Sequence, residues 1–201
     1  MMVKDQGCFR PFFNRPVEIV SGIWRSNQPT PARLQTLSAR GFRSVLNLRG
    51  ESSSAYHLLE VDACQRTGLQ LHNIKMSSRR PPTKEQLFIL KDLFDHAPRP
   101  LLLHCKSGAD RAGLVAGLFQ LWSGVPVCEA KHQLSKRYLH FRDASTGVLD
   151  HFLEEYERAE AATGIGFWEW VDTQYDREAV KKSHRPKQGV SWWVDKVLRR
   201  E

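Results

Sequence analysis

The stretch of sequence that decides the fold is "LLLHCKSGADRAGLVAG", residues 101–117. Its first four residues are three leucines and a histidine, and this apolar run indicates a short strand buried on both faces. Small and polar residues follow as far as Arg111, and the apolar run over residues 112–124 then predicts a buried helix. The stretch therefore predicts a strand, a tight loop and a helix in succession.

The loop between this strand and helix has the composition of an anion-binding turn. Its backbone N–H groups can point inward, and helix 112–124 adds the positive end of its dipole. Gly108 permits a backbone conformation that other residues resist, and Arg111 can place two parallel N–H donors on a phosphoryl group. Cys105 lies in this positive field, which favours the nucleophilic thiolate. The residues predict attack on phosphorus through a phosphocysteine intermediate.

The motif His104–Cys105–x5–Arg111, written "HCKSGADR", resembles the HCx5R signature of the protein-tyrosine-phosphatase superfamily. Residues 22–51, "GIWRSNQPTPARLQTLSARGFRSVLNLRGE", are similar to the N-terminal portion of compact, atypical dual-specificity phosphatases of bacterial and fungal type. The resemblance implies metal-independent hydrolysis of phosphate monoesters without a cofactor. It implies as substrate phosphotyrosine, with or without phosphoserine and phosphothreonine, or a phosphorylated lipid or sugar headgroup.

The resemblance also implies a role for each residue of the motif. Cys105 is the expected nucleophile, and the expected phosphate-binding residues are Lys106, Ser107, Gly108, Ala109, Asp110 and Arg111. Asp110 is expected to act as the general acid, or alternatively as a carboxylate that accepts loop N–H groups. His104 is expected to support the loop by hydrogen bonds. Arg49 is expected to line the site, with an ion pair to Glu51 as the alternative.

Two departures from the family pattern bear on catalysis. The upstream loop "MSSRRPPTK", residues 76–84, contains no Asp or Glu, although many relatives carry a general acid there. Ala112 stands where relatives have a serine or threonine that stabilises the departing thiolate, and Ser107 is a candidate substitute. An alternative function is therefore a pseudophosphatase-type module that binds phosphorylated ligands with little turnover.

The order of strand and helix patterns predicts the rest of the architecture. Strands are predicted within residues 17–29, 42–48, 69–76 and 100–105, and helices at 30–41, 52–68, 83–97, 112–124, 126–141 and 145–164. In helix 52–68 the residues expected to be partly buried are Leu58, Leu59, Val61 and Ala63. This alternation predicts an α/β fold with a mostly parallel central sheet flanked by helices. The predicted organisation is an N-terminal extension (1–16), a cysteine phosphatase domain (17–163) and a basic, aromatic-rich helical extension (164–201).

Composition narrows the class of protein further. The four cysteines show no CxxC spacing, so neither a zinc site nor a disulfide framework is expected. The N-terminal residues lack the apolar core of a secretion signal, and no apolar run reaches the roughly 18–20 residues that span a bilayer. The expected setting is cytoplasmic, with no metal or cofactor.

The net charge of +8 lies mainly near the C-terminus, where residues 177–201 hold eight Lys or Arg against three acids. Two interpretations of residues 165–201 stay open. In the first, the aromatic residues dock on the body of the domain and the charges are solvated. In the second, this segment is a basic amphipathic anchor for peripheral contact with an anionic membrane at its inner face. Nucleic acid is not an expected partner, because the sequence shows no base-reading element.

Overall fold

The computed structural model describes residues 15–186, which contain a five-stranded sheet. The strands are β1 (Val17–Val20), β2 (Ile23–Ser26), β3 (Ser44–Asn47), β4 (Gln70–Asn73) and β5 (Leu101–His104). Their order is β1-β2-β5-β3-β4, with β1 antiparallel to β2 and every other neighbouring pair parallel. The predicted α/β class with a mostly parallel central sheet is confirmed.

Eight α-helices lie within the described residues. They are α1 (Pro31–Ala39), α2 (Ala55–Thr67), α3 (Lys84–His96), α4 (Asp110–Trp122), α5 (Val127–Ala130), α6 (Val148–Thr163), α7 (Phe167–Thr173) and α8 (Arg177–Ser183). Two helix starts carry the caps that their sequences specify: Thr30 Oγ1 accepts from Arg33 N at 3.2 Å, and Gln86 Oε1 accepts from Thr83 N at 2.8 Å. Within residues 15–186 no helix combines the length and hydropathy needed to cross a membrane.

The chain divides into two compact units. The first consists of residues up to Met76 together with Asp92–Ala112, and the second consists of Ser77–Lys91 together with residues from Gly113 onward. The first unit holds the whole sheet, α1, α2 and the loop that follows β5. The second holds α5 to α8, while α3 and α4 contribute residues to both.

The core of the first unit packs α1 and α2 against one face of the sheet. Its buried members are Leu34, Leu37, Phe42, Val45, Ala63, Cys64, Leu69 and Leu102. Strand β5 lies in the middle of the sheet, so its leucines are at most 1% exposed. His104, the last residue of β5, pairs with Ser26 of β2 on one side and with Asn47 of β3 on the other. The residues that follow these three strands therefore meet at one edge of the sheet.

The core of the second unit is largely aromatic. Phe152 of α6 lies 5.6 Å from Trp170 and 5.1 Å from Tyr175 between ring centroids, and Tyr156 lies 5.1 Å from Phe167. Phe167 and Trp170 belong to α7, and both are nearly fully buried. These contacts support the first interpretation of the C-terminal extension as far as residue 186, while residues 187–201 lie outside the described residues. The domain boundaries stay a prediction.

Two parts of the predicted secondary structure were wrong. Ala63 is buried as predicted, but Leu58 and Leu59 are 57% and 52% exposed, because α2 buries the face that carries Glu60, Ala63 and Cys64. The single helix predicted at 126–141 is instead the short helix α5 followed by two 3₁₀ turns, Lys131–Gln133 and Lys136–Tyr138. The backbone turns out of the helix after the second of these, where Leu139 adopts a positive φ of 63°.

Candidate active site

The loop between β5 and α4 is folded around the sulfur of Cys105. The backbone N–H of Gly108 donates to Cys105 Sγ at 3.2 Å, and Cys105 is 1% exposed. Gly108 has a φ of +74°, in the left-handed region that favours glycine. A loop N–H group thus points inward at the thiol, as expected from the sequence.

Arg111 and Asp110 belong to the first turn of α4, which begins two residues earlier than predicted. The Nε atom of Arg111 is buried and has no hydrogen-bond partner among the described residues. Asp110 is the first residue of the helix and is 3% exposed. A carboxylate is favoured there by the helix dipole, so its position is consistent with both roles expected for it.

Arg25 of β2 binds two backbone carbonyl groups of the loop. Its Nη2 atom donates to Gly108 O at 2.5 Å and lies 3.3 Å from Ala109 O, and the side chain is 2% exposed. The two carbonyl groups therefore point toward a buried guanidinium. Because the carbonyl and N–H of one peptide lie on opposite sides, this contact turns the N–H groups of Ala109 and Asp110 away from Arg25.

The backbone of the residues that follow Arg25 packs directly against the loop. Gln28 N donates to Lys106 O at 3.3 Å. A Cβ atom placed on Gly108 would lie 2.8 Å from Asn27 N and 2.9 Å from Ser26 O. The backbones of the two segments are therefore in direct contact, and glycine is required at position 108 both by its φ and by this approach.

A buried network joins His104 to Arg49. His104 is fully buried, and its Nε2 lies 2.7 Å from Glu60 Oε1 while its Nδ1 lies 3.4 Å from Cys105 O. Gln28 Nε2 donates to the same Glu60 oxygen at 3.1 Å and Gln28 Oε1 accepts from Arg49 Nη1 at 2.8 Å. Burial by itself raises the pKa of Glu60, but the charge of His104 and the hydrogen bonds of His104 and Gln28 outweigh it, so the pKa of this carboxyl is lowered.

Lys106 and Ser107 lie within the loop, whereas the arginines of the upstream loop at 76–84 lie in the second unit. Ser107 Oγ lies within the loop and accepts from Ala109 N at 3.4 Å, and Lys106 is half-buried beside it. Arg79 belongs to the second unit, where its Nε donates to Ser145 Oγ at 3.3 Å. In that unit Tyr175 Oη, between α7 and α8, also donates to Pro82 O at 2.6 Å, so this segment and the loop at 77–82 are joined directly.

Sequence reasoning missed Arg25, Ser26–Gln28 and Glu60 as parts of the site. A signal for Arg25 was available, because a charged residue within a short apolar strand is rarely buried without a specific partner. Glu60 had a weaker signal: it lies three and four residues before Ala63 and Cys64, and therefore on the same face of α2.

A family model described as "DSP-PTPase phosphatase fused to NAD+ Kinase" matches residues 14–146. The chain belongs to this family. The predicted membership in the protein-tyrosine-phosphatase superfamily is thereby confirmed, and with it the enzyme class, a phosphoric monoester hydrolase. Inositol diphosphatase DSP4 of Arabidopsis thaliana is 29% identical over 105 residues, which are 48% of this chain. The matched part is 50% of DSP4, so the chain spans about half the length of this curated relative.

Solved phosphatase structures share the fold of this family member. The catalytic core of the PP-IP phosphatase SIW14 from S. cerevisiae, in complex with citrate, has a TM-score of 0.57 at 20% identity. That match covers 74% of this chain and 92% of SIW14. TpbA of P. aeruginosa in complex with pTyr has a TM-score of 0.58 at 16% identity, covering 78% of this chain and 93% of TpbA. At these identities the similarity shows the fold alone.

Proposed function

We propose that the chain hydrolyses phosphate monoesters through a phosphocysteine intermediate formed on Cys105. One observation carries this proposal: Gly108 N–H points at Cys105 Sγ, and Arg111, in the helical turn that follows the same loop, keeps a buried Nε–H donor without a described partner. Inward N–H groups and a guanidinium are the donors that a phosphoryl group requires as charge develops on its oxygens. The sulfur at the base of the same loop is in a position to attack phosphorus.

The proposed reaction has two steps. In the first, the Cys105 thiolate attacks phosphorus, a P–S bond forms and the P–O bond to the leaving group breaks, while Asp110 gives its proton to the leaving oxygen. In the second, water attacks the phosphocysteine, the P–S bond breaks, and the Asp110 carboxylate takes a proton from that water. Inorganic phosphate is released, and the Cys105 thiolate and the protonated Asp110 are restored, so no metal or cofactor enters the balance.

Two substrate classes are proposed for this site. A phosphotyrosine or dual-specificity protein substrate is supported by the TpbA structure, which holds pTyr on a related fold. A phosphorylated sugar or lipid headgroup is supported by DSP4, which is named an inositol diphosphatase. A panel of phosphopeptides, inositol phosphates and phosphoinositides, assayed for phosphate release at equal concentration, ranks the two classes directly. Peripheral membrane contact through residues 165–201 stays a prediction.

A second candidate function is a module that binds phosphorylated ligands with little turnover. Ala112 favours it, because no hydroxyl at that position can stabilise the departing thiolate in the second step. The candidate substitute, Ser107, already accepts a hydrogen bond from Ala109 N within the loop. If this candidate holds, phosphocysteine forms in one rapid burst and is hydrolysed slowly.

The deciding experiment measures hydrolysis of p-nitrophenyl phosphate in the presence of a chelator. Wild type is compared with Cys105→Ser and with the matched control Cys128→Ser, since Cys128 is an exposed thiol. We expect steady turnover by wild type and the control, and none by Cys105→Ser. A stoichiometric burst followed by arrest indicates the binding module instead, and activity that survives Cys105→Ser would falsify both candidates.

A further inference from the structure

A cavity of about 270 Å³ lies in the first unit, away from the loop that follows β5. Three arginines (Arg15, Arg33 and Arg40) and three large apolar residues (Trp24, Leu37 and Phe42) line it. No residue of the loop at 104–112 is among the described residues that line it. Trp24 and Arg25 are consecutive in β2 and so point to opposite faces of the sheet. The cavity therefore lies on the face away from the guanidinium that holds the loop.

The floor of this cavity is aromatic. The rings of Trp24 and Phe42 meet edge to face, with centroids 5.9 Å apart and planes at 61°. Leu37 is 1% exposed and Phe42 is 9% exposed, but Trp24 is half-buried and keeps part of its ring accessible. An accessible indole next to a second ring is a surface on which a planar aromatic ligand can stack.

The rim of the cavity is cationic. Arg33 and Arg40 lie seven positions apart, with Arg33 on α1 and Arg40 as its C-cap, so about two helical turns separate them along one side. No carboxylate is among the described residues that line the cavity. Glu18, which pairs with Trp24 across β1 and β2, instead accepts from Gly22 N at 2.9 Å. Guanidinium groups bind phosphate through paired N–H donors, so the arginines that line this cavity suit a phosphate group.

We infer that this cavity binds a nucleoside phosphate, with the base stacked on Trp24 and the phosphate held by Arg33 and Arg40. The aromatic floor accounts for the base and the cationic rim for the phosphate. The volume is close to the lower end, about 300 Å³, of the usual range for ligand pockets, which suits a mononucleotide better than a dinucleotide. The site is independent of the proposed phosphatase chemistry, because it shares no described residue with the loop.

The test is calorimetric titration of AMP into the Cys105→Ser chain, which keeps AMP from being hydrolysed by the proposed mechanism. Adenosine, ribose 5-phosphate and inorganic phosphate are titrated in parallel. The double variant Arg33→Gln/Arg40→Gln is compared with Arg43→Gln, an exposed arginine near the cavity but outside its described lining. A further variant, Arg111→Met, removes the guanidinium of the catalytic loop and shows whether AMP binds there. Thermal melting confirms that each variant is folded.

We expect AMP to bind at least tenfold more tightly than ribose 5-phosphate, which lacks the base, or adenosine, which lacks the phosphate. We expect the double arginine variant to weaken AMP binding about 10- to 100-fold, the range given by one or two charge-assisted hydrogen bonds. Arg43→Gln leaves this binding unchanged, and Arg111→Met removes only the binding that the catalytic loop itself contributes. The inference fails if AMP does not bind at millimolar concentration, if ribose 5-phosphate binds equally well, or if only Arg111→Met abolishes binding.

A second variant tests the inference independently if the arginine variant fails to fold. Trp24→Leu keeps an apolar side chain on the floor but removes the stacking surface. It is expected to bring the affinity for AMP down to that for ribose 5-phosphate while leaving the latter unchanged. Equal loss for both ligands, or no loss for either, contradicts the stacked base.

Discussion

Arg25 donates a hydrogen bond from Nη2 to the carbonyl oxygen of Gly108 at 2.5 Å, across 83 positions of sequence. On the other side of the same residue, Gly108 N donates to Cys105 Sγ at 3.2 Å. Gly108 thus lies between a buried guanidinium and the proposed nucleophile. Arg25 is therefore a candidate positioning residue: it would act on the reaction only through the orientation of the loop.

Replacing Arg25 with Met tests this role. The variant leaves the buried carbonyls of Gly108 and Ala109 without their described donor, and we expect the free energy of unfolding to fall by about 1–3 kcal/mol. Because misplaced loop donors stabilise the transition state less well, we expect kcat to fall about 10- to 100-fold and vanadate affinity to fall with it. Arg25→Lys, which keeps one donor, should recover part of kcat.

The matched control for this prediction is Arg66→Met, an exposed arginine of α2 that pairs with Asp62 at 3.0 Å. It should leave both kcat and stability nearly unchanged. If Arg25→Met lowers only the melting temperature, with kcat and vanadate affinity as in wild type, Arg25 is structural and does not position the loop.

Gly108→Ala should be far more damaging than the same change at Gly68. The two glycines have nearly equal φ values, +74° and +69°, so an added Cβ costs about 1–2 kcal/mol of backbone strain at each. At Gly68 nothing lies within 4 Å of that Cβ, whereas at Gly108 it meets Asn27 N at 2.8 Å. We therefore expect Gly108→Ala to lose roughly 1–3 kcal/mol more in urea unfolding and most of its hydrolytic activity. Equal losses in the two variants would show that the loop can shift away from Ser26 and Asn27 at no cost in stability.

Stability should depend on pH through Glu60. The pKa of Glu60 in the folded protein lies below the ordinary value of 4.5. Its ionised carboxylate therefore contributes fully to the free energy of unfolding above about pH 4.5, and this contribution is lost as the pH falls through the lowered pKa. Urea unfolding of wild type should show a free energy that rises more steeply than that of Glu60→Gln as the pH increases toward about 4.5, with no difference in slope above that pH. The control Glu51→Gln, at an exposed position, should keep the wild-type slope. Identical slopes in all three would show that the pair of Glu60 with His104 does not stabilise the fold.

The leaving group distinguishes the two roles of Asp110. A good leaving group such as p-nitrophenolate departs without a proton, whereas an alkoxide needs one. If Asp110 is the general acid, Asp110→Asn should lower kcat about 10²- to 10⁴-fold on an alkyl phosphate and much less on p-nitrophenyl phosphate. Asp172→Asn, at an exposed position, should change neither rate. Equal losses on the two substrates would assign Asp110 the structural role.

Substitution of Trp170 distinguishes the two interpretations of the C-terminal extension, a docked part of the core or a membrane anchor. This side chain is 4% exposed and lies 5.6 Å from Phe152 and 5.5 Å from Tyr156 between ring centroids. If Trp170 is a core residue, Trp170→Ala should lower the free energy of unfolding by about 3–5 kcal/mol. The same change at half-buried Trp168 should lower it by less. If Trp170 is a membrane anchor, Trp170→Ala should instead change sedimentation with anionic vesicles while leaving stability intact. The same vesicle assay on a chain lacking residues 187–201 tests the basic tail separately.

Local features of this fold could be predicted because each depends on a few adjacent residues. The pair Thr83 and Gln86 specifies a capping box, and the positive φ at Gly68 follows from its place after a helix. The strand, loop and helix around Cys105 are equally local. The family resemblance then supplied the expected role of each loop residue.

The support beneath the loop could not be predicted, because it is contributed by residues distant in sequence. Nothing near Arg25 indicates that its partner is a carbonyl 83 positions later. The exposure of Leu58 and Leu59 has a similar origin: the first unit uses that part of α2 to bring Glu60 to His104, so the buried face is set by an ion pair rather than by the most apolar side chains.

The position of β5 has a consequence for how activity arises during synthesis and refolding. β2 and β3 are neighbours only through β5, which is the last strand to leave the ribosome. Until it inserts, the strands on its two sides have no hydrogen-bonded connection, and the segment after β2 has no loop to support. Catalytic competence should therefore emerge in the same cooperative event that completes the sheet, and a nascent chain halted before that event should be inert.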